Sequence, residues 1–414
     1  MVPRVLLLLP TTSYRTPDFL AAAAKLDLEV TVASEEASTV ERLNPAGLLT
    51  LDFADLPACA DRVAAFSAER PVAAVVGVDE RTAVVAAAVA ARLGLPHNTV
   101  ASVVAAGDKG RMRQRLAEAG VASPRHRLFR AEEDPRAAAR EVDYPCVLKP
   151  TFLAASRGVI RADDGSGFVP AWRRLARILE EPAVAKRGGD AAKEILVEDF
   201  VPGVEVALEG LLFRGELRVL ALFDKPDPLD GPFFEETIYV TPSRLSPKIQ
   251  DACAGTARAA AAALGLQEGP IHAEMRVNES RVSVIEIAAR SIGGLCSRTL
   301  RFGTGMSLEE LILRHALGLG FPAAEREALA AAVMMIPIPK AGVLQEVRGV
   351  ADARAIAGIE EVTISAHVGA RLVPLPEGDR YLGFIFSRAG TPERAEAALR
   401  EAHARLEFRI ALEP

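Results

Sequence analysis

The sequence lacks the features of secreted, membrane-spanning and disulfide-stabilised proteins. Its N-terminal apolar run, Val5–Leu9, stops at Pro10 and is too short for the core of a signal peptide. No window reaches the ~18 uncharged apolar residues of a membrane span. The cysteines are few and far apart, with no C-x-x-C pair and no histidine at metal-ligand spacing: Cys59, Cys146, Cys253 and Cys296. We therefore expect a cytoplasmic protein whose thiols are reduced and buried.

Two further absences narrow the choice of partner and cofactor. The chain has no excess of positive charge: it contains 49 Lys and Arg residues and 55 Asp and Glu residues, which gives a net charge of -6. We therefore expect no nucleic acid and no membrane among the partners. No G-x-G-x-x-G sequence follows the first predicted strand, which argues against a dinucleotide site. What is present is 414 residues, half of them hydrophobic, enough for two or three globular domains.

Residues 1–107 alternate short apolar runs with helical patterns, which is typical of a parallel sheet flanked by helices. The predicted strands are Val5–Leu9, Leu28–Ala33, Leu48–Phe53 and Val72–Val78, and the predicted helices are Pro17–Leu26, Pro57–Glu69 and Arg81–Leu93. Thr11, Thr12 and Ser13 follow the first strand, at the edge where open α/β sheets bind ligands. We expect an N-terminal α/β domain here.

Residues 108–322 read as α+β, with a subdomain boundary at about residue 196 that gives parts 108–196 and 197–322. The predicted strands are Tyr144–Lys149, Glu194–Phe200, Val204–Leu212, Glu216–Phe223, His272–Val277 and Val282–Ala288. The predicted helices are Asp108–Ala119, Gly167–Leu179, Ser246–Leu264 and Ser307–Leu319. Glycine and proline mark Arg187–Asp190 and Asp227–Gly231 as flexible loops.

Residues 323–414 form a third region. We predict strands near Ala332–Ile338, Val362–Ile364 and Leu382–Ser387, and an amphipathic helix from Thr391 to Leu406. This region is expected to be a separate, small α/β domain.

Glu274 and Glu286 are the first residues that suggest chemistry. If a three-residue turn centred on Ser280 joins their strands, the two glutamates lie opposite each other with Cβ atoms ~5 Å apart. Paired carboxylates repel, which is costly unless a cation lies between them or one is protonated, and hard oxygen ligands suit Mg²⁺ that also holds substrate phosphates. If the strand continues through Ala288, Arg290 lies on the same face. The alternative is two exposed charges on an ordinary hairpin.

Two lysines form a second group. Lys109 opens a helix, and Lys149 ends an apolar strand, where its ammonium must reach water or a bound anion. The small residues that follow, including Ser156 and Gly158, could bring backbone N–H groups close to a phosphate. The alternatives are lysines that extend to the surface and a plain loop.

A third group surrounds the end of the strand Glu194–Phe200. Glu198 and Asp199 form an acidic pair that precedes Phe200, Val201 and a G-x-E sequence ending in Glu205. Such a segment could offer backbone groups to an adenine and a carboxylate to a ribose. The alternative is an edge strand followed by a turn.

In this order, the three groups resemble the ATP-grasp superfamily over nearly all of the 414 residues. The family pattern is a lysine in the first helix, a lysine before a small-residue loop, an acidic hinge with G-x-E, and two metal-binding acids ahead of an arginine. The resemblance implies an ATP-grasp fold, α/β and α+β in class. In that fold the nucleotide lies between two α+β subdomains, behind a Rossmann-like N-terminal α/β domain and before a small C-terminal one.

The resemblance also implies a role for each matching residue. Lys109 and Lys149 would neutralise ATP phosphates, and Ser156 and Gly158 would lie in the loop that closes over them. The adenine would be held by Glu198 and the backbone of the residues that follow, Asp199, Phe200 and Val201, and the ribose by Glu205. Glu274 and Glu286 would bind Mg²⁺, with Mn²⁺ as an alternative, and Arg290 would stabilise the transferring phosphoryl group.

Two segments are similar to the L-amino acid ligase branch of this superfamily. In Glu286–Gly294, Ala288 occupies a place where many members carry an asparagine ligand, which implies weaker binding of a second metal ion. In Phe234–Tyr239, Glu236 would face the amino group of an amino acid substrate, and Tyr239 replaces a histidine of some relatives. The alternative for these two is ordinary strand residues.

Gly293 and Gly294 would complete the substrate pocket. The missing side chain at Gly294 predicts space for a bulky side chain on one substrate.

The expected function is therefore a carboxylate–amine ligase that uses ATP and Mg²⁺ to join an amino acid, or another carboxylate, to an amine. Its partners are expected to be small molecules, and a homodimer is an assembly common in the family. Two other functions stay open. One is an ATP-grasp ligase of the purine, carbamoyl or carboxylase type, and the other is a nucleotide-binding regulator without turnover.

Overall fold

The structure is a computed structural model that describes residues 2–11, 13–38, 41–279, 281–320 and 325–412. Thr12, Ser280 and the predicted domain boundary between residues 322 and 323 lie outside the described residues. Within those ranges, every helix is too short or too polar to span a lipid bilayer.

The N-terminal region is a four-stranded parallel sheet in the order β3-β2-β1-β4 with helices on both faces. Alternate residues of the first strand enter different cores, Leu6 and Leu8 on one face and Val5 and Leu7 on the other. The elements are β1 Arg4–Leu8, α1 Thr16–Lys25, β2 Glu29–Ser34, β3 Leu48–Thr50, α2 Leu56–Glu69, β4 Ala74–Gly77, α3 Glu80–Leu93 and α4 Val100–Gly107. The predicted parallel α/β arrangement is confirmed.

A second, antiparallel sheet follows in the order β5-β8-β6-β7. Its elements and the helices around it are α5 Lys109–Glu118, β5 His126–Arg130, α6 Pro135–Ala138, β6 Cys146–Lys149, β7 Ile160–Ala162, α7 Gly165–Glu180, α8 Pro182–Gly188 and β8 Glu194–Asp199. Helix α7 covers one face with Phe168 and Trp172. Two expectations need correction. The sheet includes all of β8, beyond residue 196, and the predicted loop Arg187–Asp190 is helical, because α8 leads into the 3₁₀ turn Gly189–Lys193.

The central sheet has eight antiparallel strands in the order β13-β12-β9-β10-β11-β16-β20-β18. Its strands and the helices of this part are β9 Val204–Phe213, β10 Glu216–Lys225, β11 Ile238–Thr241, α9 Pro247–Leu264, β12 Gly269–Asn278, β13 Arg281–Ala288, β14 Arg301–Phe302, β15 Met306–Ser307, α10 Leu308–Ala316 and β16 Ala330–Ile336. The chain continues with β17 Gly342–Arg348, α11 Val350–Arg354, β18 Ile359–Ile364, β19 Arg371–Leu372, β20 Gly383–Ala389, α12 Pro392–His403 and β21 Glu407–Ala411.

Three strands of the C-terminal region, β16, β18 and β20, join this central sheet, so the predicted small C-terminal region is continuous with the central part of the chain. Strand β11 pairs with β16, with Tyr239 opposite Val333, and β16 pairs in turn with β20. All seven residues of β16 are buried, and its two faces enter different cores, with Val333 and Met335 in one and Ala332 and Met334 in the other. Only β17, β19 and β21 form a sheet of their own.

All four cysteines are buried and unpaired, as predicted. Burial raises the pKa of the Cys253 thiol to about 11, which keeps it in the unreactive thiol form at neutral pH.

Candidate active site

A cavity of about 1360 Å³ lies where the three regions meet. Every residue that the sequence assigned to the site lines this cavity, except Gly158. The lining members of that set are Lys109, Lys149, Ser156, Glu198, Asp199, Phe200, Val201, Glu205, Glu236, Tyr239, Glu274, Glu286, Arg290, Gly293 and Gly294. Ser13, at the predicted ligand-binding edge of the N-terminal sheet, lines it as well.

The β12–β13 hairpin places Glu274 opposite Glu286, as predicted. The predicted turn is wrong, however, because Asn278 pairs with Arg281 and leaves a shorter connection than a three-residue turn. A β-bulge between Glu274 and Met275 restores the pairing, since Met275 faces Val284 and the extra residue is Ile285. The two carboxylates therefore share a face of the hairpin, and their hard oxygen donors fit a magnesium ion.

Lys109 is the first residue of helix α5, which begins there because the Asp108 side chain caps the helix at the amide of Arg111. Its Nζ atom lies 3.1 Å from Glu286 Oε2 and donates to the carbonyl of Leu153 at 2.9 Å. The side chain is only 9% exposed, so the interpretation of Lys109 as a surface lysine is wrong. Lys109 instead directs its ammonium into the cavity beside a predicted metal ligand.

Lys149 ends strand β6 and is also buried, with its Nζ atom 2.5 Å from Glu198 Oε2. Arg113 donates to the other oxygen of Glu198 at 2.7 Å. Burial alone would raise the pKa of Glu198, but Arg113 and Lys149 outweigh it and lower the pKa to about 2. Burial lowers the pKa of Lys149, although Glu198 opposes that shift. The Glu198 carboxylate therefore pairs with Lys149 and Arg113 through its two oxygens, and its predicted contact with an adenine stays a prediction.

The backbone of the residues after Glu198 makes contacts different from those of the Glu198 side chain. The amides of Asp199 and Phe200 donate to the carbonyls of Arg125 and Pro145 at 3.0 and 2.9 Å. The amide of Val201 donates to no group within the described ranges, and Val201 lines the cavity. This segment can therefore offer the Val201 amide to a flat, hydrogen-bonding ring.

The loop after Lys149 folds around two left-handed residues, Ala155 and Ser156, with φ of 54° and 55°. Their amides donate to nothing in the described parts of the chain, and both residues line the cavity. Successive backbone N–H groups in a turn can form an anion-binding concavity. Gly158 has a different task, because its amide donates to the carbonyl of Pro376 at 2.8 Å and it lies outside the cavity wall.

Lys225, at the end of β10, was missed by the sequence interpretation. Its Nζ atom contacts Glu236 and lies 2.7 Å from Glu205 Oε1 and 3.0 Å from Glu274 Oε1. These three carboxylates converge, with oxygens within 4.8 Å of one another. Burial would lower the pKa of Lys225, but the carboxylates raise it well above its usual value. A buried ammonium therefore fills the centre of the cluster.

Glu205 and Glu236 are both engaged by this arrangement. Arg276 donates to Glu205 Oε2 at 2.8 Å, so both oxygens of the residue predicted to bind a ribose are taken. The Tyr239 hydroxyl donates to Glu236 Oε2 at 2.9 Å. Burial and the neighbouring Glu274 carboxylate raise the pKa of Glu236 to about 7, although Lys225 opposes the shift.

His272 lies between Glu274 and a second, buried carboxylate and contacts both. It bonds to the fully buried Glu209 through Nδ1 and lies 3.3 Å from Glu274 Oε1 through Nε2. Burial alone would lower the pKa of His272, but Glu209 and Glu274 raise it to about 9. Burial would raise the pKa of Glu274, yet Lys225 and His272 hold it well below its usual range. Glu274 is therefore an anion at neutral pH.

Arg290 follows β13, which ends at Ala288, and its guanidinium binds Glu80 at the start of helix α3. Asp79 caps that helix through the amide of Thr82 and fixes the position of Glu80. Burial would raise the pKa of Glu80, but Arg290 lowers it to about 2. Glu80 is thus a missed site residue, although it follows β4 at the edge where α/β sheets bind ligands.

Comparison with known families now identifies the architecture. Three family models match: an ATP-grasp N-terminal domain over residues 20–97, an ATP-grasp domain over residues 142–299, and L-amino acid ligase C-terminal domain 2 over residues 334–411. The chain belongs to the ATP-grasp superfamily. The C-terminal match places this ATP-grasp chain in the L-amino acid ligase branch, which confirms the resemblance noted in the sequence.

Individual relatives of this ATP-grasp chain are ligases. The alanine–anticapsin ligase of Bacillus subtilis strain 168 is 30% identical over 235 residues, which are 54% of this chain and 49% of that ligase. A D-alanine–D-alanine ligase of Aromatoleum aromaticum is 28% identical over 160 residues, 38% of this chain and 48% of that protein. The chain thus spans about half the length of the curated relatives it matches.

Solved structures extend the likeness over the whole chain. The L-amino acid ligase from Bacillus licheniformis superposes with a TM-score of 0.79 at 25% identity, and the match covers 99% of both chains. A carboxyaminoimidazole ribonucleotide synthase from Aspergillus clavatus, solved in complex with ATP, has a TM-score of 0.72 over 98% of this chain. At 18% identity, this second likeness shows the fold alone.

The predicted space at Gly294 is absent from this ATP-grasp chain. A Cβ atom there would lie 3.3 Å from both Cys296 Sγ and the ring of Phe384. The positive φ of +62° independently favours glycine, because residues with a Cβ atom rarely adopt it. Gly293, by contrast, has open space on its side. Tyr14 adds a further wall, because its hydroxyl accepts the Gly294 amide at 2.8 Å.

Proposed function

We propose that this chain is an ATP-dependent ligase that activates the carboxylate of an amino acid as an acyl phosphate and joins it to an amine. The observation that carries the proposal is that contacts connect these groups along the wall of one cavity. Lys109 contacts the carbonyl of Leu153 and Glu286, Glu286 lies opposite Glu274 on the hairpin, and Lys225 joins Glu274 to Glu236. This arrangement suits ATP phosphates, a metal ion and an amino acid.

Each of these cavity groups would contact a different part of the substrates. The Val201 amide would hold the adenine, and the amides of Ala155 and Ser156, with Lys109 and Lys149, would hold the phosphates. Glu274 and Glu286 would bind Mg²⁺, which when bound neutralises charge on the phosphates. Glu236 would face the ammonium of the amino acid.

The chemistry then consists of two displacements. The carboxylate oxygen attacks the γ-phosphorus of ATP, the bond to the β-phosphate oxygen breaks, and ADP leaves. The nitrogen of the amine next attacks the acyl carbon, the bond to phosphate breaks, and phosphate leaves as the amine loses a proton. Arg290, held by Glu80, would place its charge beside the transferring group. No protein nucleophile is required, because positioning and electrostatics supply most of the rate.

The relatives support a ligase of amino acids, because an alanine–anticapsin ligase, a D-alanine–D-alanine ligase and an L-amino acid ligase all match this chain. The likenesses to purine-pathway and biotin carboxylase structures lie at 14–18% identity and concern the fold alone.

The test is phosphate release from ATP and Mg²⁺ across a matrix of amino acid pairs, with mass spectrometry of the products. We expect phosphate that depends on the pair and a product mass equal to the two amino acids less water. Controls without amino acids and with EDTA should release little phosphate. If no pair gives phosphate while ATP binds, the amino acid ligase proposal fails and other carboxylates and amines come next.

A further inference from the structure

The C-terminal region is fastened to the loop that lines the phosphate end of the cavity. Arg174 of helix α7 donates to Glu377 through two bonds, Nε to Oε1 at 2.6 Å and a terminal nitrogen to Oε2 at 2.8 Å. One residue earlier, the carbonyl of Pro376 accepts the amide of Gly158 at 2.8 Å. Arg157 of the same loop lies 3.6 Å from Asp379. Three contacts therefore join residues 376–379 to the loop and to the helix behind it.

The loop needs such support to hold its shape. Ala155 and Ser156 occupy left-handed conformations that cost energy in residues other than glycine, and such conformations persist only where the surroundings fix them. Gly158 is fixed on both sides, because a Cβ atom there would lie 2.9 Å from Leu175 of α7 and 3.2 Å from Pro150. Its amide bond to Pro376 completes the enclosure.

Arg174 is itself aligned for this pairing. Its guanidinium lies over the ring of Phe233, 4.9 Å from the centroid, which leaves the two donating edges directed at Glu377. A planar guanidinium that meets both carboxylate oxygens fixes direction as well as distance. The pair therefore controls where residues 376–379 lie relative to the loop.

We propose that Glu377 is a positioning residue for the nucleotide: through Arg174 and Pro376 it holds the 154–158 loop closed over the phosphates and so sets how fast the nucleotide leaves. This inference rests on the proposed function only in requiring that ATP binds in the cavity. It assigns the C-terminal region a task in nucleotide release.

The test compares Glu377→Gln with the wild-type chain by stopped-flow dissociation of mant-ADP and Mg²⁺, chased with unlabelled ADP. Partly exposed ion pairs contribute up to about 1 kcal/mol, which converts to about fivefold. We therefore expect dissociation about two- to fivefold faster, with a nearly unchanged association rate. The matched control is Glu396→Gln on helix α12, away from the loop, which removes the charge that pairs with Arg244 at 2.9 Å. That variant should release mant-ADP at the wild-type rate.

A double-mutant cycle distinguishes positioning from general destabilisation. If Glu377 acts through Arg174, the double variant with Arg174→Gln and Glu377→Gln releases mant-ADP no faster than either single variant. Additive effects, or equal rates in the wild type and Glu377→Gln, would overturn the proposal. Should Glu377→Gln fold poorly, Arg174→Lys keeps the charge, loses the paired geometry and must also speed release. Failure of the wild type to bind mant-ADP would instead refute the proposed function, and this role with it.

Discussion

Lys225 contacts three carboxylates to which the sequence assigned three different tasks. Glu205 was predicted to hold a ribose, Glu236 an amino group and Glu274 a metal ion, and one ammonium contacts all three. These tasks are therefore linked electrostatically, because a cation that binds any one carboxylate competes with Lys225. In particular, a substrate ammonium at Glu236 must share that residue with Lys225 or displace it.

Lys225→Met should destabilise the fold by roughly 3–5 kcal/mol, because it removes the ammonium that contacts Glu236 and leaves Glu205 and Glu274 with one cationic partner each. Since their oxygens lie within 4.8 Å of one another, added Mn²⁺ should raise the melting temperature of this variant more than that of the wild type. Thermal unfolding with and without Mn²⁺ provides the measurement. Lys193→Met, which removes an exposed pair with Asp190, serves as the control and should lose little stability. Equal losses in both variants would refute the stabilising role of Lys225.

Glu286→Gln should remove most ATP-dependent turnover and leave the fold intact. An amide oxygen is a weaker, neutral ligand for Mg²⁺, while its shape preserves the hairpin. Phosphate release and circular dichroism of the variant give the two readouts. Glu141→Gln, which changes an exposed partner of Arg127, is the matched control and should keep full activity. Near-wild-type turnover in Glu286→Gln would show that the metal assignment is wrong.

Lys149→Met should weaken nucleotide binding by about tenfold or more, because a hydrogen bond to a charged group contributes about 1.5–3 kcal/mol. Calorimetry with the unhydrolysable analogue AMP-PNP measures this affinity. Lys186→Met, on helix α8 and outside the cavity lining, should bind the analogue as the wild type does. Unchanged affinity in Lys149→Met would leave Lys149 only the task of pairing with Glu198.

Single residues were predictable where local sequence determines their position. Lys149 was found because it visibly ends an apolar strand, and Lys225 was missed because the predicted strand stopped at Phe223, two residues too early. The partners Glu80, Arg113 and Glu209 could not be assigned, because each meets its site contact across the tertiary fold. The facing glutamates were predicted correctly from a wrong turn, since a bulge compensated for the error.

At the scale of elements, the amphipathic helices and the strands within clear apolar runs were predicted, whereas β5, β7, β11, β17 and β21 were not. Strands β7 and β11 have three and four residues, too few to show a period, and they form because neighbouring strands supply their partners. Helix α4 was overlooked since its Val–Ala sequence carries little amphipathic pattern, although Thr99 caps it. Pairings between distant strands, such as β11 with β16, depend on the tertiary fold.

The N-terminus of helix α3 fixes the position of Glu80. Asp79→Ala removes the cap that fixes Glu80 and should cost about 1 kcal/mol of stability. Because Glu80 orients Arg290, the variant should also lose turnover. Thr391→Ala removes the cap of helix α12, because the Thr391 hydroxyl accepts a hydrogen bond from the amide of Arg394. This variant should lose a similar amount of stability without loss of turnover. Urea unfolding and phosphate release separate these effects, and equal activity in both variants would contradict the link between Glu80 and Arg290.

At the scale of the whole molecule, the sequence predicts three regions but not the residues that meet where they join. The cavity takes Tyr14 and Glu80 from the N-terminal region and Tyr381 and Phe384 from the C-terminal one, beside the predicted central residues. Sequence patterns carry no information on how regions approach each other. A continuous central sheet explains the approach, because it fixes the C-terminal strands against β11.

Buried carboxylates make the free energy of unfolding of the whole chain depend on pH. Since the pKa of Glu198 is about 2 in the fold and near 4.5 when unfolded, its contribution is complete above pH 4.5 and falls progressively toward pH 2. The loss amounts to roughly 3 kcal/mol. Urea unfolding between pH 6 and pH 3 should therefore show a shallower pH dependence in Glu198→Gln than in the wild type. The exposed-site variant Glu141→Gln should keep the wild-type slope, and an unchanged slope in Glu198→Gln would contradict the pKa shift.

The pairing of β11 with β16 also determines how the chain is made. During translation the N-terminal sheet can close early, because its four strands are close together in the sequence. The central sheet, by contrast, keeps a bare edge at β11 until β16 and β20 have left the ribosome. An unpaired edge on a nascent chain invites aggregation and binding by chaperones. Protection of that edge during synthesis should therefore raise the yield of active protein in a cell.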